Sequence, residues 1–274
     1  MNPSAINVAL AQFECVNPKK FSNLLSVICE KQKIDLLVLG EYVANRFFKE
    51  YSDKVALKRE CEIMKAYFGK LSVKFGVAIV VPLIECVGLG KNQKFYKSIA
   101  IFEAGKVRFY RATRLMDFPH WNECAFFDNE VCGDSSGDSR PKSRSPKEPI
   151  IFEVGDFKVS AIFGWEAHFD EIFAKIRKKG VDILCVPCAN TFGSNARWQR
   201  LMQTRSFLNS CFLVRVNRTG SFMESSVVCD FYGESFIALP DGNLGDMMGA
   251  KDGILVSEIR KKTLKEMQNL WKFR

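Results

Sequence analysis

The chain has 274 residues, of which 47% are hydrophobic and 26% are charged. This composition provides ample apolar material for a core, so it excludes a disordered or fibrous chain. The 40 Lys and Arg residues exceed the 31 Asp and Glu residues, and the resulting net charge of +9 is spread along the sequence without a recognisable nucleic-acid motif. We therefore expect solvated surface charge and no nucleic-acid partner.

The first half of the chain alternates strand and helix patterns. Ile6–Phe13 alternates large apolar and small residues as a strand does, and Asn17–Lys31 has apolar residues at helical spacing. The run DLLVLGE, Asp35–Glu41, is typical of a strand buried on both faces. A helical period then covers 57–74, and the runs GVAIVVPLIE and KSIAIFEA predict two further strands, the second followed by a turn at 104–106.

The second half repeats this alternation. The run IIFEVGDFKVSAIFGW predicts two strands joined by a Gly-Asp turn, followed by a helix over His168–Lys179 that ends at Gly180. The strands VDILCVPC and CFLVRVNRTG flank a helix over Ser194–Asn209. Two strands with an Asp-Gly turn, a last strand GILVSEI and a basic helix complete the pattern.

Strand and helix alternate over the whole length without an evident linker. We therefore predict one α/β domain over 1–274, with mixed sheets covered by helices. The segment 128–149 is rich in Ser, Asp, Pro and Gly, which predicts a long loop excursion within that domain.

The cysteines and the first residues bear on the compartment. The ten cysteines contain no pair of CxxC motifs and accompany only two histidines, so we expect no metal and no other cofactor. Met1–Phe13 has neither a basic segment nor an apolar segment of signal-peptide length, and no stretch reaches the roughly 20 apolar residues that cross a bilayer. We predict a cytoplasmic protein with reduced thiols and no membrane contact.

Several blocks of the sequence occur in the order found in the carbon–nitrogen hydrolase (nitrilase) superfamily, which the chain resembles nearly from end to end. The blocks are ALAQF, DLLVLGE, FYKS, YRATRL, WNECAFF, GWEAHFDE, DILCVPCAN, RSFLNSCFLVRVNRTG and FYGESFIALPDG. The resemblance implies a four-layer αββα sandwich. It also implies a homodimer or a larger homo-oligomer, because members of this family pair through helices beside the active site.

The resemblance implies a reaction in which a Cys thiolate attacks a non-peptide C–N bond and forms a thioester that water hydrolyses. A carboxylate takes the thiol proton, and a lysine stabilises the charge on the tetrahedral intermediate. Glu41 matches the general base of the family, and Glu123 matches its second glutamate.

Two family positions are substituted. In the block Tyr110-Arg111-Ala112, Ala112 stands where the family has its lysine, and Gly164, before Trp165, stands where it has the nucleophilic cysteine. Loss of a nucleophile alone costs on the order of 10⁶ in turnover in a serine protease. We therefore expect a catalytically impaired member that acts as a binding or assembly protein.

The alternative is an active amidase with a relocated nucleophile. Cys188 ends the strand DILCVPC, which should lie beside the strand that ends at Gly164; a small buried core residue is the competing interpretation of Cys188. Cys124 is a second candidate thiol, and Arg111 or Arg114 could supply the missing positive charge.

The remaining family positions predict a pocket at the strand ends. We expect its lining to comprise Trp165, Glu166, His168, Cys188 and Asn190. With only a methyl group at Ala112 and no side chain at Gly164 the pocket would be roomier, and Glu41 and Glu123 would lack a cationic partner. Such a pocket would take a small amide-like or amine-like ligand, with a preference for cations.

Overall fold

Two six-stranded sheets form the framework of the computed structural model, which describes residues 4–51, 53–130, 148–224 and 227–273. The first sheet contains β1 (Ala5–Gln12), β2 (Leu36–Leu39), β3 (Ala78–Val87), β4 (Lys94–Glu103), β5 (Lys106–Arg111) and β16 (Gly253–Arg260). Its order is β16-β1-β2-β3-β4-β5. The first three strands in the chain run parallel, and the antiparallel pairs are β16 with β1, β4 with β3, and β5 with β4.

The second sheet contains β8 (Phe152–Val154), β9 (Phe157–Ala161), β10 (Ile183–Cys188), β11 (Phe212–Asn217), β14 (Phe236–Ala238) and β15 (Leu244–Met247). Its order is β15-β14-β11-β10-β9-β8, with β9, β10 and β11 parallel. Two short hairpins lie outside both sheets: β6 (Asp117–Phe118) with β7 (Trp121–Asn122), and β12 (Ser221–Glu224) with β13 (Val227–Asp230).

Helices pack on the outer faces of the sheets, and the fold is the predicted α/β sandwich of four layers. They are α1 (Pro18–Lys31), α2 (Lys54–Phe75), α3 (Asp170–Lys179), α4 (Asn195–Asn209) and α5 (Lys261–Trp271). Side chains of β1 alternate between two cores: Val8 and Leu10 face the second sheet, whereas Ala9 packs with Phe21 of α1 and Phe68 of α2. This alternation is the period of two that the sequence displays.

The longer predicted elements agree with the structure apart from their ends, whereas the short strands β6, β7 and β12 were not predicted. The helix expected from His168 begins at Asp170, because Gly164–His168 forms a 3₁₀ turn before it. Glu166 closes this turn by accepting a hydrogen bond from the Phe163 N–H at 2.9 Å. Gly180 ends the helix with φ of 68°, as a C-terminal glycine does. Most of the predicted excursion over 128–149, and Cys132 within it, lies outside the described residues.

The two sheets approach each other closely where β2 and β10 end. The carbonyl of Cys188 accepts hydrogen bonds from the Glu41 N–H at 3.1 Å and from the Arg218 N–H at 3.2 Å. A Cβ on Gly40 would lie 3.0 Å from the Arg218 nitrogen, so this approach requires a glycine. The carboxyl ends of strands from both sheets therefore meet at one place, where such folds bind ligands.

Candidate functional site

Lys97 is the central residue of a buried ionic cluster at this meeting point, which we call the Glu–Lys–Glu cluster: Glu41, Lys97 and Glu123. The ammonium of Lys97 lies 2.8 Å from Oε2 of Glu41 and donates a hydrogen bond to Oε1 of Glu123 at 2.6 Å. The three residues are 3%, 4% and 0% exposed. Buried carboxylates this close together require a cation between them, and Lys97 supplies it.

The two glutamates differ in how their oxygens are satisfied. Oε1 of Glu123 also accepts from the Tyr42 hydroxyl at 2.7 Å and from the Trp121 indole at 3.1 Å, and its Oε2 accepts from the Met116 N–H. Oε2 of Glu41 makes the ion pair with Lys97 but no aligned hydrogen bond within the described residues. Glu123 thus accepts from several donors besides Lys97, whereas the Lys97 ammonium is the charged partner of Glu41.

Burial sets the protonation behaviour of the cluster. It raises the pKa of Glu41 to about 7, although the Lys97 ammonium acts in the opposite direction. Burial alone would lower the pKa of Lys97, but Glu123 and Glu41 more than offset it, so the pKa is raised and the ammonium stays charged. A charged lysine beside a carboxylate that titrates near neutrality is suited to general-base chemistry.

Lys97 lies beside Ala112, the residue at the position of the family lysine. The Ala112 N–H donates to the Lys97 carbonyl at 2.9 Å, and Asn129 Nδ2 bonds the carbonyls of both residues. Residues paired in this way on adjacent strands project their side chains on the same face of a sheet. The ammonium that Ala112 lacks therefore comes from its neighbour on β4.

Gly164 has a corresponding neighbour in the second sheet. The parallel register that pairs Cys185 with Ala161, continued for three residues, brings Cys188 beside Gly164. A Cβ built on Gly164 would lie 2.7 Å from Sγ of Cys188. The space beside Gly164 is thus filled by a thiol, and the pocket is not roomier there as the sequence suggested.

An open cavity of about 200 Å³ lies above the cluster, with Glu41 in its wall. Its other lining residues are largely aromatic or carry hydrogen-bond donors, and include Trp121, Trp165, Trp198, Asn190 and Arg197. Oδ1 of Asn190 accepts from buried Arg215 at 3.0 Å. Among the described residues no group of three or more His, Cys, Asp and Glu side chains is arranged to hold a metal ion.

The structure separates the predicted pocket residues into two groups. Trp165 and Asn190 line the cavity, and Cys188 lies fully buried behind it. Glu166 does not line it, because its carboxylate is bound to the Tyr110 hydroxyl and to Thr113. His168 is exposed outside it, with Nδ1 3.0 Å from the Trp165 carbonyl.

The arginines that the sequence offered as a replacement charge are paired elsewhere. Arg111 bonds Glu85 at 2.8 Å, and Arg114 bonds Glu171 at 2.6 Å. Lys97 was missed as a site residue, although a lysine within the apolar strand run FYKSIAIFEA is itself a signal. Lys97 also removes the reason to expect a cationic ligand, because Glu41 and Glu123 already share its ammonium.

Comparison with known proteins agrees with this architecture. The family described as Carbon-nitrogen hydrolase matches residues 7–269. An N-carbamoylputrescine amidase of Oryza sativa subsp. japonica is 26% identical, over 98% of this chain and 90% of the relative. A deaminated glutathione amidase of Synechocystis is 25% identical over 61% and 62% of the two chains.

Solved structures share the fold. A carbon-nitrogen hydrolase from Helicobacter pylori G27 superposes with a TM-score of 0.82 at 24% sequence identity, and covers 98% of this chain and 94% of its own. Within the described residues no helix is long and apolar enough to cross a bilayer.

Proposed function

Because the chain belongs to the carbon–nitrogen hydrolase family, we propose that it hydrolyses the C–N bond of a small amide or carbamoyl compound. The observation that carries this proposal is the Lys97 ammonium, held between Glu123 and Glu41, of which Glu41 lines an open cavity. The substitution at Ala112 argued for a lost lysine. The Glu–Lys–Glu cluster instead provides the positive charge that such a reaction requires.

The roles of the cluster follow from its contacts. Glu41 reaches the cavity and titrates near neutrality, so it acts as the general base. The Lys97 ammonium stabilises the negative charge that develops on the carbonyl oxygen of the substrate. Glu123 accepts from Tyr42, Trp121 and Lys97 and so holds the ammonium in place.

The cavity limits the substrate to a small molecule. Its volume of about 200 Å³ lies below the ~300–1,000 Å³ of a drug-sized ligand pocket. Its walls include Trp121, Trp165 and Trp198, which suit an apolar chain between the reacting amide and the opening. N-carbamoylputrescine and deaminated glutathione, named for the relatives, are probes of opposite charge for this cavity.

An ammonia-release assay tests the proposal. The panel contains N-carbamoylputrescine and neutral primary aliphatic amides, which are read as ammonia, and deaminated glutathione, whose secondary amide releases a peptide amine and is read by amine detection. The unmodified chain is compared with Lys97→Met. We expect release from at least one compound and a loss of about 10²-fold or more in Lys97→Met, as for removal of an oxyanion donor. Release from none of the compounds contradicts the proposal.

Two further variants make the lysine test specific. Lys94→Met removes an exposed lysine from the same strand and should leave the rate unchanged. Lys97→Met/Ala112→Lys returns the ammonium to the family position and should recover part of the lost rate. A Lys97→Met protein with full activity would show that Lys97 has no catalytic role, and a double variant no better than the single one would show that position 112 cannot supply the ammonium.

A second candidate function is a binding protein without turnover, with an amide-like or amine-like ligand. Its support is that Cys188 is fully buried and that burial raises the pKa of its thiol to about 12. Calorimetric titration with the same panel distinguishes the candidates: binding without ammonia release favours the binding protein. The homo-oligomer and the cytoplasmic location implied by the sequence remain predictions, and light scattering of the purified protein checks the first.

A further inference from the structure

We propose that Cys188 is the nucleophile of this chain, in a site where Gly164 is glycine because the Cys188 thiol occupies the space of a side chain there. This inference rests on the proposed function, since a nucleophile implies a reaction. The nucleophile would then lie at the end of β10, whereas the family position for it, Gly164, follows β9.

The geometry beside Gly164 is the first step. Outside Gly164 and its chain neighbours, the nearest heavy atom to its Cβ position is Sγ of Cys188 at 2.7 Å, followed by Cβ of Cys188 at 3.4 Å. Real Cβ atoms essentially never approach another atom within 3.0 Å. A cysteine at 164 and a cysteine at 188 in this rotamer are therefore mutually exclusive, and the chain has the second.

The second step is the base. The Glu41 N–H donates to the Cys188 carbonyl, which ties the two residues together across the sheets. Burial raises the pKa of the Cys188 thiol most; the positive charge of Arg215 lowers it, and the charges of Glu41 and Lys97 also act on the thiol, so both of these groups lie near it. The Glu41 carboxylate is paired with the Lys97 ammonium at 2.8 Å and has a pKa of about 7, so near neutral pH its ionised form can take the thiol proton.

The third step is the parallel with Lys97. Both missing groups have a counterpart on the adjacent strand of the same sheet: Lys97 on β4 for Ala112, and Cys188 on β10 for Gly164. The two replacements arise in different sheets and converge on Glu41. A chance arrangement of core residues would not restore both chemical groups at one carboxylate.

The reaction balances with these residues. Glu41 takes the Cys188 proton as sulfur bonds to the amide carbon, and the oxyanion faces the Lys97 ammonium. The C–N bond then breaks, and nitrogen leaves as ammonia with the proton from Glu41. Water, deprotonated by Glu41, attacks the thioester; the S–C bond breaks, the acid leaves, and the proton returns to sulfur.

Access to Cys188 is through the cavity wall. Glu41, Ala189 and Asn190 line the cavity, and Cys188, the residue before Ala189, is fully buried with its thiol 3.3 Å from the Val186 carbonyl. Cys185 offers a matched comparison, because it lies on the same strand and is also fully buried, but burial alone shifts its pKa.

The first test combines turnover with labelling. Cys188→Ala should lower ammonia release by several orders of magnitude, whereas Cys185→Ala should retain it. Iodoacetamide should label Cys188 faster than Cys185, and Glu41→Gln should slow only the Cys188 reaction; peptide mass spectrometry reads both sites. Labelling of Cys188 no faster than Cys185 overturns the assignment whether or not the chain is an active hydrolase.

The second test moves the thiol back. Gly164→Cys/Cys188→Ala should release ammonia at least 10-fold faster than Cys188→Ala, whereas Gly164→Cys alone should be slower than the unmodified chain. Full activity in Cys188→Ala overturns the assignment and leaves the proposed function intact. Absence of ammonia release from every compound, together with Glu41-dependent labelling of Cys188, refutes the proposed function but supports a reactive thiol at this position.

Discussion

Single residues account for the chemistry of this site, and Glu41 shows how burial adjusts one of them. A carboxylate with a pKa of about 7 is a poor acid but an effective base at neutral pH. Between pH 4.5 and 7, the folded protein therefore keeps a proton on Glu41 that the unfolded chain has already released. Ionised Glu41, the form that accepts a proton, is therefore also the form that contributes least to the stability of the fold.

The pH dependence of turnover should reveal this group. We expect kcat/KM to rise with pH through about 7 and then level off, because only ionised Glu41 accepts a proton. Thermal unfolding provides a second readout: Glu41→Gln should raise the melting temperature, relative to the unmodified chain, more at pH 8 than at pH 5. A kcat/KM that is constant between pH 5 and 9 would contradict the role of Glu41.

A stability cycle at Gly164 tests the packing of the thiol without any substrate. Gly164→Ala should destabilise the protein by about 1–3 kcal/mol, because the new Cβ meets Sγ of Cys188. In a Cys188→Ala background the same change should cost less, since the nearest atom is then Cβ at 3.4 Å. Denaturant unfolding of the four proteins measures the coupling, and equal costs in both backgrounds would refute the clash.

At the scale of the elements, the 3₁₀ turn Gly164–His168 is fixed by a residue that was predicted to line the pocket. Glu166 accepts hydrogen bonds from Tyr110, Thr113 and Phe163, and so ties the end of β9 to the segment after β5. It positions Gly164 and Trp165 without entering the cavity. Its place in the sequence predicted a pocket residue, whereas its contacts show that Glu166 holds the turn in position.

Removal of this carboxylate should loosen the turn. Glu166→Ala leaves buried donors on Tyr110 and Thr113 without an acceptor, so we expect a loss of about 3 kcal/mol or more in the free energy of unfolding. Glu258→Ala, which removes the partner of Arg260 from a pair exposed on both sides, should change stability by less than about 1 kcal/mol. Equal effects of the two variants would exclude a supporting role for Glu166.

The elements themselves were largely predictable from hydrophobic periodicity. DLLVLGE and VDILCVPC are buried strands as expected, and Gly180 ends α3. The short β6–β7 hairpin, which brings Glu123 to the cluster, has only two residues a strand and gives no periodic signal. Lys97 could not be assigned because its role depends on which strand lies beside it.

At the scale of the whole molecule, the site depends on how closely the two sheets approach. Gly40 lies at the contact, and a Cβ there would meet the backbone of Arg218 and Asn217 at 3.0 and 3.1 Å. Backbone atoms cannot move aside as a flexible side chain can. The distance between Glu41 on one sheet and Cys188 on the other is therefore set by a residue with no chemical role.

Gly40→Ala should push the sheets apart at this point. We expect lower stability by about 1–3 kcal/mol, together with a loss of ammonia release that exceeds the effect on folding at low temperature. Gly69→Ala is the control: it lies in α2, where a Cβ meets the Phe102 ring at an ordinary 3.6 Å, so it should be neutral or stabilising by about 1 kcal/mol. Unchanged activity in Gly40→Ala would contradict this dependence.

The sideways pairing of Lys97 with Ala112 has a consequence for how such proteins are recognised. A pleated sheet is a two-dimensional lattice in which each side chain has neighbours along its own strand and across to the next. A functional group supplied from the neighbouring strand lies at nearly the same place in the folded protein but at a different position in a sequence alignment. Two motif residues can thus be missing from an alignment while the same chemical groups are present in the folded site. Whether a missing motif residue also means a missing functional group must be decided from the neighbouring strands in the structure.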